Sequence, residues 1–196
     1  MANKGFNDSF ISQYLGTEAT NTKTLNQKMS KISSCHPAAA NLNLHMTNRL
    51  IHPGDTVTTQ QVVRIYDGVI QCSLPKPEWT HGAHLCAGTA IVLKRGLQTA
   101  EHDLPGLIKN YNIACGVKNT QTDGYHHTIT IVYLRLIAKF LEDAFRGPHQ
   151  LGSAASALLG SDIAAPDYLL GLYSRDLLFS PLARGKWQAP DLRDLL

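Results

Sequence analysis

Nowhere in the chain do about 18 apolar residues run together, the length a membrane-spanning helix requires, and no Lys/Arg run tracks a phosphate backbone. Neither a membrane nor a nucleic acid is therefore an expected partner. Cysteine is sparse. The four present, Cys35, Cys72, Cys86 and Cys115, form no CxxC pair, which removes the paired-thiol metal and redox motifs. No GxSxG elbow and no HExxH pair occurs either, so neither a local hydrolase signature nor a zinc-protease signature is available. The N-terminus shows no basic-then-apolar signal segment, and with unpaired cysteines the expectation is reduced thiols in a cytoplasmic protein.

What remains is globular in character. The 196 residues are 43% hydrophobic and 17% charged, with 18 basic and 15 acidic side chains giving a net charge of +3. A chain of that length and balance fits one domain with a real core. Residues 1–55, rich in Asn, Thr, Ser and Lys as in "TEATNTKTLNQKMSKISSC", have too few apolar positions for a continuous buried face and read as a polar N-terminal arm, partly flexible or docked on a partner. A short helix over "NDSFISQYL" is still compatible with the spacing of Phe10, Ile11, Tyr14 and Leu15. "HPGD" at 52–55 marks the boundary, and residues 56–196 make the helical domain.

Beyond that boundary the apolar positions recur at three and four. Val62, Val63, Ile65, Tyr66, Val69 and Ile70 predict an amphipathic helix capped by Thr58 or Thr59. Thr80 is the N-cap expected for a second helix through "HGAHLCAGTAIVLKRG", closed by Lys94, Arg95 and Gly96. A third follows over "TAEHDLPGLIKNYNIACG", with Pro105 near its first turn. "YHHTITIVYLRLIAKFLEDAFRG" leaves little of its circumference polar, so the helix of residues 125–145 is expected to run through the middle of the fold. "AASALLGS" and "APDYLLGLYSRDLLFS" predict two shorter helices, the second capped by Asp162 or opened by Pro166. The fold class is all-α: a single-domain bundle around a buried central helix.

Histidine carries the chemistry. With Thr80 as cap, His81 and His84 lie three apart on the first turn of their helix, and His126 lies at the entry of the central helix, rotated from His127 by about 100°. His81, His84 and His126 would together supply a three-nitrogen site with an open position for zinc, iron or another divalent transition metal, with Glu78, Glu101, His102 and Asp103 as nearby further ligands. Gly82 and Gly88 lower helix propensity by roughly 1 kcal/mol each, so a helix that keeps both needs room for a close neighbour or a bound group. HxxH alone is a weak signal, and two metal-free readings stand beside it: a polar pocket built from the same residues, or histidines packed neutral near helix starts. Tyr125 and His127 are the candidates for moving protons, and Trp79 and Tyr125 for walling a small-molecule pocket. Trp79 at a helix entry also fits a hydrophobic staple. Arg175 is a candidate for an anionic substrate, or for an internal pair with an acidic side chain. Cys86 shows no arrangement that would lower its thiol pKa, and His36, His45, His52 and His149 lie in loop-like sequence.

The stretches "LPKPEWTHGAHL", "IKNYNIACGVKNTQTDGYHHTIT" and "YSRDLLFSPLARGKWQAPDL" together resemble an uncharacterised bacterial protein family, a domain of unknown function with Trp-Thr-His-x-x-His-Leu, Gly-Tyr-His-x-Thr-Ile-Thr and Tyr-Ser-Arg/Leu-Phe-Ser-Pro motifs. The likeness spans about residues 60 to 196. It marks Trp79, Thr80, His81, His84, Asn112, Gly124, Tyr125, His126, Thr128 and Arg175, and it adds Asn112 to the substrate-binding candidates Trp79, Tyr125 and Arg175. The family has no established reaction. Where its pattern commonly carries an acidic residue after the Gly-Tyr-His histidine, this chain has His127. The expectation is thus a histidine-lined pocket in a small-molecule enzyme, metal-dependent in one version. The alternative is a noncatalytic interaction or binding protein with structural histidines, forming homo-oligomers through the arm.

Overall fold

The computed structural model describes residues 50–144 and 150–195; residues 1–49 of the N-terminal arm, with the helix expected over "NDSFISQYL" and with His36 and His45, and His149 lie outside the described residues. Six helices make up the described part: α1 (Thr59–Ile70), α2 (His81–Ala114), α3 (His127–Ala144), α4 (Leu151–Leu159), α5 (Arg175–Leu178) and α6 (Pro181–Gly185). Three 3-10 turns, Lys76–Glu78, Asp162–Ala164 and Tyr168–Gly171, link them, and no strand occurs among the described residues. The all-α fold is as the apolar spacing predicts.

Local chemistry sets the helix starts. Thr58 caps α1 with a full capping box, its side chain accepting the Gln61 amide while Gln61 accepts the Thr58 amide at 2.8 Å. Thr80 caps α2 by accepting the Ala83 amide at 3.2 Å, and its hydroxyl also donates to the Ile51 carbonyl. That second bond ties the α2 entry to the segment before α1. The expected helix end at Gly96 is a kink: Gly96 takes φ 75°, ψ 162°, and helical backbone resumes at once to Ala114. Pro105 therefore lies well inside the second half of α2 instead of near its first turn. Residues 165–180, expected as one helix with Asp162 or Pro166 at its start, hold a 3-10 turn and the single-turn α5, and Asp162 opens a separate 3-10 turn.

α2 packs against α1, α3 and α4, and α3 packs in turn on α6. α3 separates two apolar clusters. Ile131, Leu134, Ile137 and Leu141 face the larger one, shared with α1, α2 and α4, while Val132 and Leu136 join Leu169, Leu172, Tyr173 and Leu178 in the smaller one. A helix flanked on both sides needs a nearly continuous apolar circumference, which is the pattern of residues 127–141. The first half of α2 is equally submerged, with residues 85–92 all buried.

The helical domain reaches back past the expected boundary. Ile51 belongs to the core, Gly54 donates to the Leu159 carbonyl at 2.7 Å, and Val57 donates to Ser156 Oγ at 2.9 Å. The backbone of Ile51 also accounts for Gly82, where an added Cβ would come within 2.6 Å of the Ile51 carbonyl oxygen; at Gly88 it would meet the Ile137 Cδ1. The room these glycines leave is filled by the protein itself. Gly82→Ala gains up to about 1 kcal/mol in helix propensity, yet the backbone clash should outweigh it and lower stability by roughly 1–3 kcal/mol in urea unfolding. A more stable Gly82→Ala variant would contradict this packing.

Candidate functional site

The histidines of "WTHGAHL" do not share one environment. His84 is the fourth residue of α2 and Trp79 the residue before its cap, the two positions of a hydrophobic staple, and their rings stack with centroids 3.8 Å apart. His84 Nδ1 lies 2.6 Å from the Thr80 carbonyl oxygen, which a protonated Nδ1 satisfies as donor. Dense surroundings lower the His84 pKa, but its outer edge is exposed, so water still solvates the charged form and weakens that effect. His81 instead packs edge-on against Tyr133 of α3, 5.4 Å between centroids, and its buried Nε2 has no hydrogen-bond partner among the described residues. Burial lowers its pKa as well.

His126 has a third role. It immediately precedes α3, its Nδ1 accepts the Ile129 amide at 3.4 Å, and its Nε2 lies 2.9 Å from the Leu178 carbonyl oxygen. An acceptor at Nδ1 and a donor at Nε2 define one neutral tautomer. The central helix consequently starts at His127, two residues after the expected start, because His126 acts as its N-cap. Burial, with the Arg184 charge second, lowers the His126 pKa to about 4. Both ring nitrogens are thus engaged.

The structure does not bring His81, His84 and His126 together as a ligand set, and no group of three His, Cys, Asp or Glu side chains placed to hold a metal ion occurs among the described residues. The nearby carboxylates each have a basic partner, although the buried Glu78 Oε1 has no hydrogen-bond partner among the described residues. Glu78 pairs with Arg64 at 2.6 Å, Asp103 with Arg95 at 2.6 Å and Glu101 with Arg135 at 2.7 Å, while His102 leans on Asp103 at 2.9 Å. Arg135 also lies over the Trp187 ring at 4.1 Å, so it holds α2, α3 and the C-terminal segment together.

Other candidates fall into two groups. Asn112 is spent on structure: its amide donates to Asn119 Oδ1 at 2.9 Å, and that oxygen also accepts the Tyr125 amide at 3.1 Å, bracing the 116–125 loop. Arg175 forms no ion pair among the described residues and lies over the Phe179 ring at 5.3 Å, so the expected internal acidic partner is absent there. Trp79 walls a core edge with His84 and Tyr111. Cys86 is buried and its thiol pKa is pushed up to about 12, in keeping with an inert packed thiol.

Tyr125 and His127, by contrast, meet. The Tyr125 hydroxyl lies 2.9 Å from His127 Nδ1, the phenol is buried, and the imidazole is half-buried. Burial raises the Tyr125 pKa to about 12, whereas burial and then the Lys109 charge lower that of His127, with Glu101 opposing. Lys109 lies 4.9 Å from the centroid of the Tyr125 ring. Lys109 escaped the sequence reading, and Glu101, expected as a further ligand beside the histidines, instead flanks His127 together with Lys109. The available signal was the α2 stripe Ala100, Leu104, Ile108 and Tyr111, whose flank they occupy.

Comparison with protein-family models, with curated proteins and with solved structures gives no match. The family resemblance therefore stands on its three motifs alone, and within them Trp79, Thr80, His84, Asn112, Gly124, His126 and Thr128 have plain structural work. Thr128, for instance, donates to the Lys186 carbonyl at 2.9 Å and accepts the Gln188 amide at 3.1 Å.

The His126 tautomer has a measurable consequence. Between an ordinary imidazole pKa of about 6.5 and its folded value of about 4, the unfolded chain takes up a proton that the folded chain refuses. This contribution, roughly 3 kcal/mol for a displacement of that size, is complete above pH 6.5 and lost as pH falls to 4. Urea midpoints measured from pH 7 to 4 should fall steeply in the wild type and less steeply in His126→Asn, which keeps a capping oxygen. Parallel slopes would show that His126 is not the neutral cap.

Proposed function

We propose that the protein binds a small molecule on the face where the second half of α2 meets the start of α3, and that His127 exchanges a proton with it. The observation that carries this reading is the 2.9 Å contact between Tyr125 and His127 Nδ1, made by a half-buried imidazole that still reaches solvent. A phenol whose pKa stands at about 12 stays protonated at neutral pH, so Tyr125 positions the ring while Nε2 does the exchange. The lowered His127 pKa keeps the imidazole neutral near pH 7. No step in this reading passes through zinc or iron.

The supporting shell is rigid where it must be. Asn112 and Asn119 brace the loop that ends at Tyr125, His126 fixes the start of α3, and Arg135 anchors Glu101 beside His127. A second reading, a noncatalytic interaction protein, is favoured by Phe179 and Leu182, which are 51% and 50% exposed on neighbouring turns.

Ligand screening by thermal shift separates the two. A ligand whose stabilisation disappears in His127→Gln and weakens in Tyr125→Phe, with both variants folded, supports the small-molecule site. Tyr125→Phe alone should cost on the order of 1 kcal/mol in binding through loss of ring orientation. Ligands that stabilise wild type and His127→Gln equally would place binding elsewhere, and self-association abolished by Leu182→Ser would favour the interaction reading.

A further inference from the structure

We propose that the molecule taken at the Tyr125–His127 face carries an oxyanion group, a carboxylate or a phosphate, bound between Lys109 and His127. This rests on the function proposed above and narrows it to one ligand class.

Few charged groups surround His127. Lys109 and Glu101 face it from α2, and Tyr125 and His126 from the chain just ahead of α3. Glu101 is neutralised by Arg135 Nε at 2.7 Å. Asp123, the nearest acid in the preceding loop, directs Oδ1 at the Gly124 amide at 2.7 Å. Lys109 has no carboxylate within ion-pairing distance among the described residues, and its ammonium lies over the Tyr125 ring. Arg184, behind the same turn, gives its Nη1 to the Gly124 and Tyr125 carbonyls at 3.2 and 3.3 Å and likewise meets no acid there. α3 begins at His127, so the positive end of its helix dipole adds to the same field.

Positive potential without an internal counter-charge, beside an imidazole that can donate through Nε2, is what an oxyanion complements. A neutral ligand would leave Lys109 unanswered, and a cation would be repelled by it. Binding should couple to the His127 proton. An anion beside the ring favours the imidazolium, so the His127 pKa rises on binding, and affinity increases as pH falls through that pKa.

The test is a titration of the full chain, labelled with 15N in its histidines, followed at His127 with four probes: inorganic phosphate, acetate, acetamide and methylammonium at constant ionic strength. Saturable shifts at His127 with phosphate or acetate, a raised His127 pKa at saturation, and about tenfold weaker binding in Lys109→Ala are the expected result. The difference between phosphate and acetate tells which oxyanion the site prefers. Saturation by acetamide or methylammonium with silent anions would overturn the oxyanion assignment while leaving the small-molecule face intact. If no probe perturbs His127 in the folded protein, both readings fall. Anion binding undiminished in the exposed-site variant Lys109→Ala would overturn the assignment to this face.

Discussion

A single neutral imidazole at the head of α3 fixes how the second half of the fold meets the first. His126 can accept the Ile129 amide only through an unprotonated Nδ1, and it can reach the Leu178 carbonyl only through a protonated Nε2. One ring therefore starts the central helix and holds the end of α5 against it. The C-terminal segment follows the same junction: Thr128 bonds the backbone of Lys186 and Gln188, and Arg184 reaches the Gly124 and Tyr125 carbonyls. With α3 fixed there, its two faces close the two apolar clusters.

The same constraint makes the candidate site. Successive residues at a helix start differ by about 100°, so a His126 committed to the α5 side leaves His127 turned toward α2. There it meets Tyr125, Lys109 and Glu101. Two adjacent histidines thus have opposite fates. The first, buried with both nitrogens engaged, serves structure; the second, half-buried with one nitrogen held by a phenol, keeps a nitrogen for chemistry.

Much of the fold could be read from the chain because its signals are local. Thr58 with Gln61, Thr80 with Ala83, and the apolar circumference of residues 127–141 act within a turn or along one helix. Gly96 was legible as a left-handed position but not as a kink, since whether helix resumes at once depends on what the second half of α2 packs against. The histidine site was half legible. Tyr125 and His127 lie two apart in sequence, whereas Lys109 and Glu101 join them only through the α2–α3 contact. His81 and His84 share a spacing but not a neighbour, because Trp79 and Tyr133 claim them separately. Asn112 is a ligand contact only on the resemblance, and its loop partner Asn119 becomes visible only once the 116–125 loop is folded back.

The central claim is the division of labour between His126 and His127, and a two-bond 1H–15N spectrum of the histidine rings recorded from pH 7.5 to 4.5 tests it most directly. The account predicts that His126 stays a neutral Nε2–H tautomer until the pH nears 4, while His127 titrates at a higher pH. A His126 ring that titrates near 6.5, or that carries its proton on Nδ1 at pH 7, would contradict it.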